Sequence, residues 1–274
     1  MSQIFSEIPA LPPAPCAGQT EQPPSLWAAA ALIVLYFLLQ AAGSGLIAVV
    51  LGLLTGFVRT GAQARPLGEN IRAMLAQPGM PAVLLILTLA LAAASIVPLV
   101  HRRYRRLWAI PASPGLGMVL PANRAFFMLA VILGLAAPLV GGVLTYLLAH
   151  GNPVTQDIQT LGTHTPVGLR VLLVIALVGL GPLVEELLFR GVLLSALLHR
   201  WPAGWGMLVS ALLFAMVHLP SMQWAWYALP DLALLALGLA WLRLRAGSLW
   251  PAVLAHSVNN LLAVMVWFVA ASPP

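Results

Sequence analysis

A small set of polar side chains sits inside otherwise apolar sequence in the last third of the chain: Glu185, Glu186, Arg190, His218, Asp231, His256, Asn259 and Asn260. Helical spacing sorts them. Glu186 and Arg190 are four residues apart, so they share a helix face and suit an ion pair. Glu185 lies about 100° further round and is aimed elsewhere. His218 follows Phe214 by four residues, and His256 precedes Asn260 by four. Three helices could thus each offer a polar point to one cavity. A carboxylate beside an imidazole is a water-activating pair. A second imidazole and a carboxamide are donors suited to a developing oxyanion.

The elements that must carry these groups are membrane helices. The chain has 274 residues, 61% apolar and only 7% charged, with a mean hydropathy of +0.96. Soluble domains carry about 25% charged residues, so a soluble globular domain is excluded. The 13 basic residues, all arginine, outnumber 7 acidic ones and give a net charge of +6. They lie between apolar runs and build no single basic face, which speaks for positive loops on a membrane protein and against a nucleic-acid partner. Cys16 is alone, so the chain has neither an intramolecular disulfide nor a cysteine metal site. An ionisable group at mid-membrane costs about 2.5–3.5 kcal/mol. Two glutamates and an arginine, unpaired, would cost roughly 8–10 kcal/mol, on the scale of a whole domain's stability.

Residues 1–24 are polar and proline-rich and read as a flexible tail without a signal-peptide pattern. The apolar stretches are Ser25–Phe57, Pro81–Val100, Ala125–Ala149, Pro166–Leu198, Gly204–His218, about Met222–Leu242, and Leu249–Ala270. The first is one tilted helix or a helix with a short return at Gly43-Ser44-Gly45, and its Gly52 and Gly56 suit close helix packing. The fourth is too long for a ~30 Å core as one helix, so a kink or re-entrant break is expected near Pro182. The fold class is all-α: a polytopic transmembrane bundle of about seven or eight helices, with residues 25–165 as N-terminal spans and 166–270 as the part that holds the chemistry. Arginine asymmetry puts the 101–124 loop in the cytoplasm, and the turns around Arg200 and around Arg243 and Arg245 with it. Asp231 follows Pro230 and caps or begins a helical segment.

Each motif alone has a structural reading. Glu-Glu-x-x-x-Arg can be a solvated helix end, a histidine in an apolar helix can be a packed residue, and an intramembrane asparagine is often interhelical glue. Their joint occurrence in order, each in an apolar helix, is far more specific. Glu185-Glu186-x-x-x-Arg190, Phe214-x-x-x-His218 and His256-x-x-x-Asn260, with the Gly247–Ala255 approach to the last, resemble the motif set of the CaaX-protease and bacteriocin-processing family over residues 166–270. These are glutamic-type intramembrane endopeptidases, also grouped as Abi or type II CaaX prenyl endopeptidases. The resemblance implies Glu185 as general base, His218 positioning and polarising the water, and His256 and Asn260 stabilising the oxyanion. It implies Glu186 and Arg190 as structural support and Phe214 as packing. No cofactor and no metal are implied.

Rival chemistries find less footing. There is no His-Glu-x-x-His for a zinc protease and no Gly-x-Gly-Asp for the aspartyl type, and Ser44 has no evident histidine partner. A metal held by Glu185, Glu186, His218 and His256 has suitable ligand types, but Glu186 is better matched to Arg190. A non-catalytic immunity or scaffolding module, and a proton-coupled transporter using the cluster as a relay, stand as alternatives. The expected partners are the lipid bilayer and a membrane-associated peptide or protein substrate. The alanine-, leucine- and arginine-rich composition suits the inner (cytoplasmic) membrane of a bacterium. On the enzyme reading Glu185, His218, His256 and Asn260 converge on one cavity.

Overall fold

The computed structural model describes residues 22–58, 66–152, 161–162 and 165–269. The tail as far as residue 21, with Cys16, and the arginines at 59 and 65 lie outside them, as do Asp157, His164 and Ala270. The helices are α1 Leu26–Val58, α2 Leu67–Leu75, α3 Met80–Arg103, α4 Ala125–Ala149, α5 Val167–Leu198, α6 Ala203–Val217, α7 Leu229–Ala246 and α8 Trp250–Val269. No strand occurs among the described residues. Among the described residues, five helical segments are long and apolar enough to cross a membrane: Leu26–Phe57, Met80–Arg103, Ala125–Ala149, Val167–Leu198 and Trp226–Ala246. α6 is shorter, at 15 residues. The 20 residues of α8 carry the polar Ser257, Asn259 and Asn260 among apolar neighbours.

Several expectations change in detail. α1 runs unbroken through Gly43-Ser44-Gly45. Gly52 and Gly56 do bring a neighbour close: Ile71 packs over the first and Asn70 over the second. That neighbour is α2, a short helix where the charge pattern suggested only loop. The sixth apolar stretch begins as two 3₁₀ turns, Pro220–Met222 and Trp226–Ala228. α7 starts at Leu229, which puts Asp231 in its first turn, where a helix dipole favours an acidic group.

Of the kink or re-entrant break expected near Pro182, the re-entrant break does not occur, and the winding changes instead. α5 is one helical run of 32 residues, with π-helical stretches at Ala176–Leu180 and Leu187–Leu193. Proline removes an N–H and crowds the carbonyl four residues back, and a wider π turn relieves that crowding without a break. In the i+5 register the carbonyl of Leu177 faces position 182, where proline has no N–H to donate. The side-chain amide of Asn260 on α8 donates to that carbonyl instead, at 3.1 Å.

The bundle packs α8 and α7 against α4, α6 against α7, and α1 against α3 and the second π stretch of α5. The loop after α3 closes one end. Arg243 of α7 is buried and donates to the carbonyls of Pro111 and Gly115 at 2.8 and 2.7 Å. Ser195 donates to Gly115, Ser248 donates to Val119, and the Leu249 amide donates to Gly117. The arginine-bearing turns after α3 and α7 thus lie at one end of the bundle, as the orientation argument required of them.

A close backbone-to-helix contact sits beside the polar cluster. A Cβ on Gly134 of α4 would lie 2.6 Å from the backbone carbonyl of Ala255 on α8, which cannot move aside, whereas one on Gly45 would meet nothing. Gly134→Ala is therefore expected to destabilise the protein by about 1–3 kcal/mol through overpacking. Gly45→Ala should be neutral or slightly stabilising. Thermal unfolding of the two variants in detergent checks both.

Candidate active site

The site assembles where α5, α6 and α8 meet, with α1 closing the fourth side. α5 supplies Glu185 and Glu186 at the junction between its second α stretch and second π stretch, and Arg190 from within the π stretch. Glu186 and Arg190 have no side-chain exposure, and Arg190 Nη1 donates to Glu186 Oε1 at 2.7 Å. A second donor reaches the same oxygen: His256 Nδ1 lies 2.9 Å from Glu186 Oε1. A carboxylate can only accept, so Nδ1 carries the proton. Arg190 also donates to the Ala236 carbonyl of α7 at 3.2 Å. Glu186 therefore joins α5 to α8 directly and to α7 through the arginine.

Glu185 points to the other side, as the 100° offset requires. Its side chain is 14% exposed, and Oε2 lies 3.6 Å from His218 Nε2 and 3.9 Å from His256 Nε2. Both separations exceed a direct hydrogen bond. His218 is oriented from behind by its own helix, because its Nδ1 lies 2.7 Å from the Phe214 carbonyl. That oxygen only accepts, so Nδ1 is the donor and Nε2 is the nitrogen turned to Glu185. A carboxylate oxygen and an imidazole nitrogen 3.6 Å apart suit a shared water molecule.

Phe214 does more than fill space. Its ring lies under the Arg190 guanidinium at 4.4 Å, meets Phe189 edge-on at 5.2 Å, and contacts the rings of His218 at 4.5 Å and His256 at 5.6 Å. A buried cation over an aromatic face is a favourable arrangement in a desolvated place.

Of the residues singled out from sequence, Glu185, Glu186, Arg190, His218 and His256 come together here. Asn260 stands one turn beyond His256 and is engaged with Leu177, while Asn259 donates to Asn260 Oδ1 at 3.5 Å. One N–H of the Asn260 amide is left over by the bond to Leu177. Asp231 lies apart, against Gly141 of α4. Sequence reasoning missed Tyr36 of α1, whose hydroxyl donates to Glu185 Oε1 at 3.3 Å. Its only sequence signal is a tyrosine in the middle of an uncharged span. Among the described residues, no three histidine, cysteine or acidic side chains form a metal-holding group.

Removing the charge of Glu186 while Arg190 stays buried would leave an uncompensated cation, a loss of about 3–5 kcal/mol. Glu186→Gln should accordingly lower the thermal midpoint and the yield of folded protein. Unfolding curves and gel-filtration profiles in detergent read that directly.

Residues 167–262 match the family model described as Type II CAAX prenyl endopeptidase Rce1-like, the family whose motif set the sequence resembles. The match covers Glu185, Glu186, Arg190, His218, His256 and Asn260, and leaves α1 to α4 outside it. Neither a curated protein nor a solved structure matches the chain. The match points to a peptidase and, with the apolar helices, to a multi-pass membrane protein.

Proposed function

We propose that the protein is a glutamate-dependent intramembrane endopeptidase that hydrolyses a peptide bond in a membrane-associated peptide or protein. The observation that carries this reading is the division of labour between two adjacent carboxylates. Glu186 is fully buried and its Oε1 accepts from both Arg190 and His256, whereas Glu185 is partly exposed and faces two imidazole Nε2 atoms. A general base must reach its substrate, and only Glu185 is free to do so.

In this reading a water sits between Glu185 Oε2 and His218 Nε2. Glu185 takes its proton as the water oxygen attacks the scissile carbonyl carbon. The carbonyl oxygen becomes an oxyanion as the tetrahedral intermediate forms. His256 Nε2 and the second N–H of Asn260 face that charge. With Nδ1 already donating to Glu186, a donating Nε2 makes His256 an imidazolium, held and oriented by the Glu186 carboxylate much as an aspartate holds a triad histidine. The proton on Glu185 then passes to the leaving amine as the C–N bond breaks, which restores the carboxylate. Every one of these groups belongs to the chain, and no cofactor or metal is required by the steps. The composition supports a bacterial cytoplasmic membrane as the location. A small membrane-associated protein or peptide, such as a bacteriocin precursor or a sorting-signal tail, is the proposed substrate class.

Glu185→Gln keeps the size and hydrogen bonding of the side chain but removes the base, so cleavage should vanish while folding and insertion persist. Comparative proteomics of membranes holding the wild-type protein or Glu185→Gln tests this and identifies the substrate. New termini present only with the wild type support the reading, and identical termini in both oppose it. His256→Ala and Asn260→Ala should each lose about 10²–10³ in rate, the usual cost of one oxyanion donor. Asn260→Ala should in addition lose about 1–3 kcal/mol of stability, because the Leu177 carbonyl is then unpaired. Cleavage rates and thermal midpoints of the purified variants separate the two effects.

A further inference from the structure

α1 lies outside the segment that matches the family model, yet it reaches the site. Its buried stripe is Ala29, Leu32, Ile33 and Tyr36, the i, i+3, i+4, i+7 spacing of a helix face turned to a core. This stripe belongs to one apolar cluster with Leu187, Leu188 and Phe214, and α1 packs on the second π stretch of α5. At the end of the stripe Tyr36 is 1% exposed. Its ring meets Phe37 edge-on at 5.1 Å, and its hydroxyl is 3.3 Å from Glu185 Oε1. The other oxygen of that carboxylate, Oε2, is the one turned to His218 and His256.

We infer that Tyr36 is a positioning residue for Glu185: its hydroxyl holds Oε1 and thereby leaves Oε2 directed at the two histidines. A glutamate side chain has three torsions, and a carboxylate can turn about the last of them with little hindrance. Glu186 is fixed by two donors, but Glu185 has no direct hydrogen bond from either histidine. The Tyr36 hydroxyl is thus the group that selects one orientation from many. Hydrogen bonds to a charged group are among the stronger ones in proteins, and a rigid ring buried in a helix interface is a suitable mount for one. The inference rests on the proposed role of Glu185, and it makes α1 a working part of the site.

The test uses the full-length chain in liposomes, as wild type, Tyr36→Phe, Glu185→Gln and, as a control for the same chemical change on an exposed tyrosine, Tyr146→Phe. One readout needs no substrate. The infrared carboxylate band of Glu185, identified by its loss in Glu185→Gln, should shift in Tyr36→Phe and stay in place in Tyr146→Phe. The other is cleavage of an internally quenched peptide with a prenylated cysteine near its C terminus. Tyr36→Phe should lower kcat by about ten- to hundred-fold, the worth of one hydrogen bond to a charged group, with KM and the thermal midpoint near the wild-type values. A band that does not move, or a kcat within two-fold of wild type, overturns the inference. A lower thermal midpoint with unchanged kcat per folded molecule also overturns it, since that is the signature of packing alone. If the wild-type chain leaves the peptide intact, the proposed function loses the prenyl-peptide activity that the matched family model describes. The infrared band still decides whether Tyr36 holds Glu185.

Discussion

The buried carboxylate of Glu186 is the point on which the rest of the site depends. It has no exposure, and one of its oxygens accepts from both Arg190 and His256. Desolvating a charge costs several kcal/mol per ion even after relaxation, and only good geometry with further hydrogen bonds offsets it. Arg190 meets that demand with bonds to Glu186 and Ala236 and with the face of Phe214 beneath it. The consequence is directional. A buried pair of this kind fixes the rotation of α5, and once α5 is fixed, Glu185 is turned toward α1, α6 and α8.

The same interaction sets the histidines. His256 is oriented through Nδ1 by Glu186, and His218 through Nδ1 by the Phe214 carbonyl, so both present Nε2 to Glu185. Neither ring depends on Glu185 for its own orientation, which leaves that carboxylate free for a water or a substrate. The π winding of α5 belongs to the same design. It carries Pro182 without a break, and the orphaned Leu177 carbonyl becomes the anchor for Asn260. An asparagine one turn beyond His256 is thereby held by backbone and keeps one donor to spare.

Much of this was legible in the sequence because polar residues are costly in apolar helices and therefore stand out. The four-residue spacing of Glu186 and Arg190 foretold their pairing, and the offset of Glu185 foretold its separation from them. What stayed hidden depended on contacts distant in sequence or on backbone detail. Tyr36 meets a residue 149 positions away, and no local pattern encodes that. Near Pro182, where a kink or re-entrant break is expected from sequence, the helix continues with a change of winding, since periodicity registers a proline but not how the backbone accommodates it. The short helix α2 escaped notice because its charges, Glu69 and Arg72, read as loop. Arg243 looked like an ordinary positive-loop residue, yet its guanidinium folds the loop after α3 onto the bundle.

The central claim is that Glu186 serves structure through Arg190 while Glu185 is left for chemistry, and a double-mutant cycle tests it most directly. The thermal stabilities of Glu186→Gln, Arg190→Met and the combined variant would be compared with wild type. The account predicts strong coupling: each single change leaves a buried charge unpaired, and the double change, which removes both charges, should be more stable than either single variant. Additive losses, with the double variant the least stable of the four, would contradict it.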